Sequence, residues 1–135
     1  MNLKRNKDMA TITEDYVSFE IAKLLKEKGF DWNCITYYVD YEPDDVKYSM
    51  LCENNTDWEE HCYSAPTHQM VMKWLREVHK ISIEITSTGY LIDNDVEWEC
   101  DIKAGHRLYF KHITGEKSFE SVAEKALKYT LENLI

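Results

Sequence analysis

The hydrophobic period of this chain changes abruptly near residue 80. Upstream, Thr67, Val71, Trp74, Leu75 and Val78 recur at helical spacing, and at about 100° per residue they fall on one face. Immediately downstream, Ile81-Ser82-Ile83-Glu84-Ile85 alternates strictly, as a half-buried strand does. A chain carrying both periods side by side belongs to the mixed classes, with helices packed on a sheet.

The same logic extends along the chain. Residues 1–15 read as a loose, basic N-terminal arm, and 16–135 as a single α+β domain. A first helix runs from about Ser18 to Lys28, with Val17, Ile21, Leu24 and Leu25 on its buried side and Gly29 as its C-cap. Cys34 to Tyr41 is rich in β-branched and aromatic residues and predicts a strand. A turn over Glu42-Pro43-Asp44-Asp45 joins it to a second strand over Val46 to Cys52, and Asn54 to Tyr63 reads as a loop. Pro66 fits the first turn of the next helix, which continues to about His79. Val96 to Ile102, a turn at Ala104-Gly105-His106 and Arg107 to His112 form a hairpin. Ser118 caps a last helix with Phe119, Val122, Ala123, Ala126, Leu127 and Thr130 on one face. The predicted order is α-ββ-α-β-ββ-α, with three helices on an antiparallel or mixed sheet of about five strands.

Charge narrows the possible partners. The formal net charge is −9, which argues against a general duplex-DNA or RNA binder, because such affinity comes from neutralising phosphates. Two segments carry the acidity. Residues 40–60 hold Asp40, Glu42, Asp44, Asp45, Glu53, Asp57, Glu59 and Glu60 against Lys47 alone, and 93–101 hold Asp93, Asp95, Glu97, Glu99 and Asp101 with no base. Solvated loops and strand edges account for such runs, and an acidic mimic of nucleic acid is the functional alternative. The remaining fifteen bases and twelve acids leave room for a local basic surface.

Few chemical motifs are present. GxSxG, P-loop, GxGxxG and HExxH patterns are missing, and four scattered glycines cannot form a phosphate cradle. Cys34, Cys52, Cys62 and Cys100 show no CxxC spacing, so neither a zinc site nor any cofactor is expected. Four free thiols, no apolar run long enough for a membrane span and no leader-like segment behind Met1–Asp8 fit a cytoplasmic protein that does not contact membranes. A Cys–His catalytic pair is conceivable among four cysteines and five histidines, but no spacing singles one out, and the reading is non-enzymatic.

The segment from Ser64 to Lys80 is the most distinctive. Gln69, Lys73, Arg76 and Lys80 lie within about 60° of one another opposite the apolar face, flanked by His68, Met72 and His79. Such a stripe ordinarily solvates an amphipathic helix. Read functionally, it binds anions, with Thr67, His68, Gln69, Lys73, Trp74 and Arg76 as the candidate ligand-binding residues and the Thr67 end presenting backbone N–H groups to a phosphate. Phe19 between Lys23 and Lys26 is a smaller version of the same feature. Nine tyrosines, four tryptophans and four phenylalanines add flat faces that can stack bases or pack a sheet. Alternation places Tyr37, Val39 and Tyr41 on one face of their strand and Tyr38 with Asp40 on the other.

The segments Tyr16-Val17-Ser18-Phe19-Glu20-Ile21-Ala22-Lys23-Leu24-Leu25-Lys26-Glu27-Lys28-Gly29-Phe30 and Ala65-Pro66-Thr67-His68-Gln69-Met70-Val71-Met72-Lys73-Trp74-Leu75-Arg76-Glu77, with the Tyr129 to Ile135 ending, resemble a family of small bacteriophage and prophage proteins of gut bacteria. That family has no assigned function and no established catalytic residues to carry over. The resemblance implies an accessory protein that interferes with a host system. By analogy with compact phage sponges, the leading expectation is a homo-oligomer in the host cytoplasm that sequesters a small nucleotide immune messenger, a cyclic nucleotide or an ADP-ribose derivative. The alternative expectation is an acidic inhibitor that occupies the basic channel of a host nuclease or restriction factor.

Overall fold

Serine or threonine caps start each of the three helices among the described residues. In the computed structural model, which describes residues 15–88, 96–105 and 109–135, Ser18 accepts from the Ile21 N–H (3.3 Å) and opens helix α1 (Phe19–Glu27). The helix ends in a Schellman motif. Phe30 N–H donates to Leu25 C=O (2.9 Å) and Gly29 N–H to Lys26 C=O (3.3 Å). Gly29 takes φ +87°, a left-handed conformation that a side chain would strain. Thr67 accepts from Met70 N–H (3.1 Å) and opens α2 (His68–Trp74), while Ser118 accepts from Ser121 N–H (3.0 Å) and opens α3 (Phe119–Asn133). Pro66 stands before the α2 cap, not in its first turn, and its carbonyl accepts from Val17 N–H (2.9 Å).

Beyond Trp74 the helix widens into a π turn, Leu75–His79, that stops at Lys80 in the left-handed region (φ 61°). A π turn bonds i to i+5, which brings His79 over the ring five residues before it. The His79 and Trp74 rings meet edge-on at 4.7 Å. The extra residue also rotates Val78 off the apolar face, so Val78 is 52% exposed where the helical spacing predicts burial.

The architecture is α+β, and the described residues form six strands in two separate three-stranded antiparallel sheets where the sequence predicts one sheet of about five strands. The first sheet has the order β2-β1-β3, built from β1 (Cys34–Val39), β2 (Glu42–Glu53) and β3 (Cys62–Ser64). The second has the order β4-β5-β6, from β4 (Ile81–Ser87), β5 (Trp98–Ala104) and β6 (Tyr109–Glu116). Two corrections follow for the first sheet. The predicted Glu42–Asp45 turn belongs to β2, and the predicted 54–63 loop ends in β3. Asn55 makes that short strand possible: it is buried, accepts from Ser64 N–H (2.9 Å) and donates to Phe30 C=O (2.9 Å). The N-terminal arm up to residue 14, the turn at His106 with Arg107, and Asp93 and Asp95 lie outside the described residues.

Helix α3 lies on the second sheet and touches both other helices, while α1 packs against β3. Its Val122, Ala123, Ala126, Leu127 and Thr130 are buried as the spacing predicts. The core between helices and sheets contains Ile21, Leu25, Phe30, Trp74, Ile81, Ile102 and Leu127, all nearly or fully buried. Each such side chain contributes ~1.5–3 kcal/mol relative to exposure.

Candidate functional site

The basic stripe on α2 comes apart into an inner and an outer set. His68 and Trp74 are only 3% and 2% exposed. Trp74 meets Phe30 edge-on at 5.2 Å within the core, leaving no face to stack a ligand. His68 Nε2 lies 2.8 Å from Glu124 Oε2. Met72 is also buried. Thr67 is half-buried and spends its hydroxyl on the cap. Gln69, Lys73 and Arg76 are exposed, and Lys73 faces Glu77 at 3.8 Å. The N-terminal amides of α2 are largely committed. His68 N–H donates to Asp15 C=O, Met70 N–H to Thr67 Oγ1 and Val71 N–H to Thr67 C=O. The six predicted residues thus form a core half and a solvated half, and among the described residues no aromatic ring lies against Lys73 or Arg76.

A hollow of about 410 Å³ opens where His68 and Glu124 meet Ser18 and Tyr38. Burial alone would raise the Glu124 carboxyl, but hydrogen bonds from His68 and from the Ser18 N–H (3.0 Å) outweigh it and hold the group below the usual carboxylate range. Nearby hydroxyls are spent on structure: Tyr38 donates to Val17 C=O (2.6 Å) and Ser18 Oγ caps α1. Glu124 is therefore a clamp joining α1, α2 and α3. The buried thiols also stay protonated, since burial pushes Cys34 and Cys100 up to about 11 and raises Cys62.

The most ligand-like feature lies on the first sheet. The alternation of β1 carries Tyr37, Val39 and, just beyond, Tyr41 to one side, and all three line a cleft of about 400 Å³. Tyr38 points the other way and is buried edge-on against Phe19 at 5.7 Å. The opposite wall comes from the 54–62 loop. Trp58 stacks on Tyr37 with ring centres 4.8 Å apart, and His61 lies nearly parallel to Tyr41 at 6.0 Å. Trp58 is pinned by its indole N–H, which donates to Ser64 Oγ (2.7 Å). Lys26 gathers the loop by donating to the carbonyls of Glu59 (3.3 Å), Glu60 (3.3 Å) and Cys62 (2.7 Å). The charged lining is Glu53, Asp57 and Glu59, without lysine or arginine. Among the described residues no three such side chains converge as metal ligands.

Sequence reasoning finds the floor of this cleft through the β1 alternation and misses its wall. Trp58, Asp57, Glu59 and His61 sit in a segment with no periodicity, where the usable signal is a tryptophan standing among acids. No known protein family, curated protein or solved structure matches the chain. No helix among the described residues is long and apolar enough to cross a membrane.

Proposed function

We propose that this chain is a binding protein that captures a basic segment of another protein on the acidic, aromatic face of its first sheet. One observation carries this reading: the cleft combines stacked rings with three carboxylates, and among the described residues no lysine or arginine lines it. Arginine suits such a site, since its planar guanidinium stacks on an aromatic face while its N–H groups bond carboxylates. Beside the cleft, Asp40 and Glu60 are exposed, and among the described residues neither has a lysine or arginine partner. That field steers a positively charged partner towards the cleft. The resemblance to phage proteins would place the capture in an infected cell, with a basic nuclease or restriction factor as target. Binding without turnover is the mode this reading adopts.

A second reading keeps the nucleotide messenger. A groove of about 370 Å³ beside the cleft is lined by Lys23, Lys26, Asn55, Trp58 and Tyr63, and Lys23 lies 5.5 Å over the Phe19 ring. Its cations are few, because Lys26 is held by three carbonyls and by the Tyr63 ring (4.7 Å). Fluorescence anisotropy with a labelled arginine-rich peptide and, separately, a labelled cyclic dinucleotide distinguishes the readings. Peptide binding that weakens with salt and with Asp57→Asn supports the first. Dinucleotide binding lost in Lys23→Ala, without peptide binding, replaces it with the second.

A further inference from the structure

At the irregular edge of the same sheet we infer a contact surface for a second copy of this chain, independent of what the acidic cleft binds. Among the described residues, the sheet order leaves β2 with one unpaired edge. Its pairing with β1 jumps from Cys34↔Glu53 to Thr36↔Tyr48, so the stretch between Tyr48 and Glu53 bulges opposite Ile35. The bulge throws apolar side chains outward: Met50 is 99% exposed, Tyr48 and Leu51 are each 66% exposed, and Ile35 is 51% exposed. Beside this knob lies a hollow of about 250 Å³ whose walls include Tyr16, Ile35, Cys52, Pro66 and Met70. None of its lining residues is charged.

Three features select a second copy as the occupant. First, knob and hollow are neighbours, sharing Ile35 and joined by the edge-on contact of Tyr16 with Tyr48 (6.4 Å). A two-fold axis between them lets Met50 and Leu51 of each copy enter the hollow of the other, the reciprocal geometry of an isologous dimer. Second, two chains of net charge −9 repel, and an uncharged patch is where they can approach. A basic partner is drawn to the carboxylates instead, and the cleft that holds them shares no lining residue with the hollow. Third, the bulge breaks the regular row of edge N–H and C=O groups that open-ended strand addition requires, which favours a closed pair over a ribbon.

The test is the mass of the full chain in solution, by native mass spectrometry and sedimentation. A discrete dimer is expected, with association weakened roughly 30-fold or more by Met50→Lys and by Leu51→Asp, the loss typical of an interface anchor. Both positions are largely solvent-exposed, so thermal melts run at a dilution where wild type and variants are all monomeric should coincide. A monomeric wild type at micromolar concentration overturns the inference. So does a dimer that survives both substitutions, or a mass that grows continuously with concentration.

Discussion

Along β4 and β5, seven successive residue pairs run without a break from Ile81↔Ala104 to Ser87↔Trp98, whereas β1 meets β2 through two register jumps. Charges divide the same way. On the second sheet and its flanks, Glu84 faces Lys103 (3.3 Å), Glu116 faces Lys125 (2.7 Å), and His112 bridges Asp101 (2.7 Å) and Glu99 (3.3 Å). On the first sheet Lys47 serves Glu42 and Asp45, and most other acids face solvent. Two acidic runs that look alike in sequence therefore have different fates. Of the second run, the described Glu97, Glu99 and Asp101 are met by Lys117 and His112 on the sheet that carries the core, whereas the first run is left largely available on an irregular surface. The second sheet is scaffold, and the first is where a partner can be held.

The comparison breaks most readily at the core. Ile102 is fully buried at the centre of the second sheet, so Ile102→Ala should cost about 2–5 kcal/mol in denaturant unfolding. Met50→Ala on the first sheet should stay within about 0.5 kcal/mol, provided that the protein is diluted to monomer. Comparable losses at the two positions would erase the division between scaffold and surface.

Glu124→Ala comes next, at roughly 1–3 kcal/mol, because it strips the partner from buried His68 Nε2 and from Ser18 N–H. The sign of its pH dependence follows from the depressed carboxyl. The stabilising contribution is complete above the unfolded glutamate value and is lost as pH falls through the lower folded value. Thermal melts of the wild type should therefore converge on those of Glu124→Ala in acid. A gap that persists at low pH would show that packing, not ionisation, sets the clamp.

Smaller again is Tyr38→Phe, which removes a buried donor to Val17 C=O and should cost about 1 kcal/mol by the same unfolding measurement. The smallest effect belongs to His112. Its hydrogen bond to Asp101, supported by Glu99, raises its folded value, so its contribution is complete below the unfolded histidine value and disappears as pH rises through the folded one. Following the His112 ring by NMR through neutral pH checks this. A shift below the ordinary histidine value would mean that the cross-strand triad does not form in solution.

Much of the scaffold was legible because its signals are local. Ser18 and Ser118 act within one turn, Ile81–Ile85 reports its own alternation, and the α3 face repeats at helical spacing. The split into two sheets depends on pairing between distant strands, which no local pattern encodes. Strand β3 is three residues long and depends on Asn55 for its order, so periodicity cannot reveal it. The acidic start of β2 reads as a turn because strands usually avoid Asp and Pro, and an exposed edge tolerates them. The candidate site divides along the same line. Tyr37 and Tyr41 follow from alternation, Trp58 and His61 arrive through a loop, and the π turn removes Val78 from its predicted place.

Calorimetric titration with one arginine-rich peptide, run on two charge-neutralised variants, tests the central claim most directly. Glu53→Gln/Asp57→Asn/Glu59→Gln alters the cleft, and Glu99→Gln/Asp101→Asn alters the compensated ladder. The account predicts that the first variant keeps its stability and binds at least roughly tenfold more weakly, while the second loses stability and binds like the wild type. Equal weakening in both variants, or no peptide binding by the wild type at low salt, would contradict the assignment of the first sheet as the binding face.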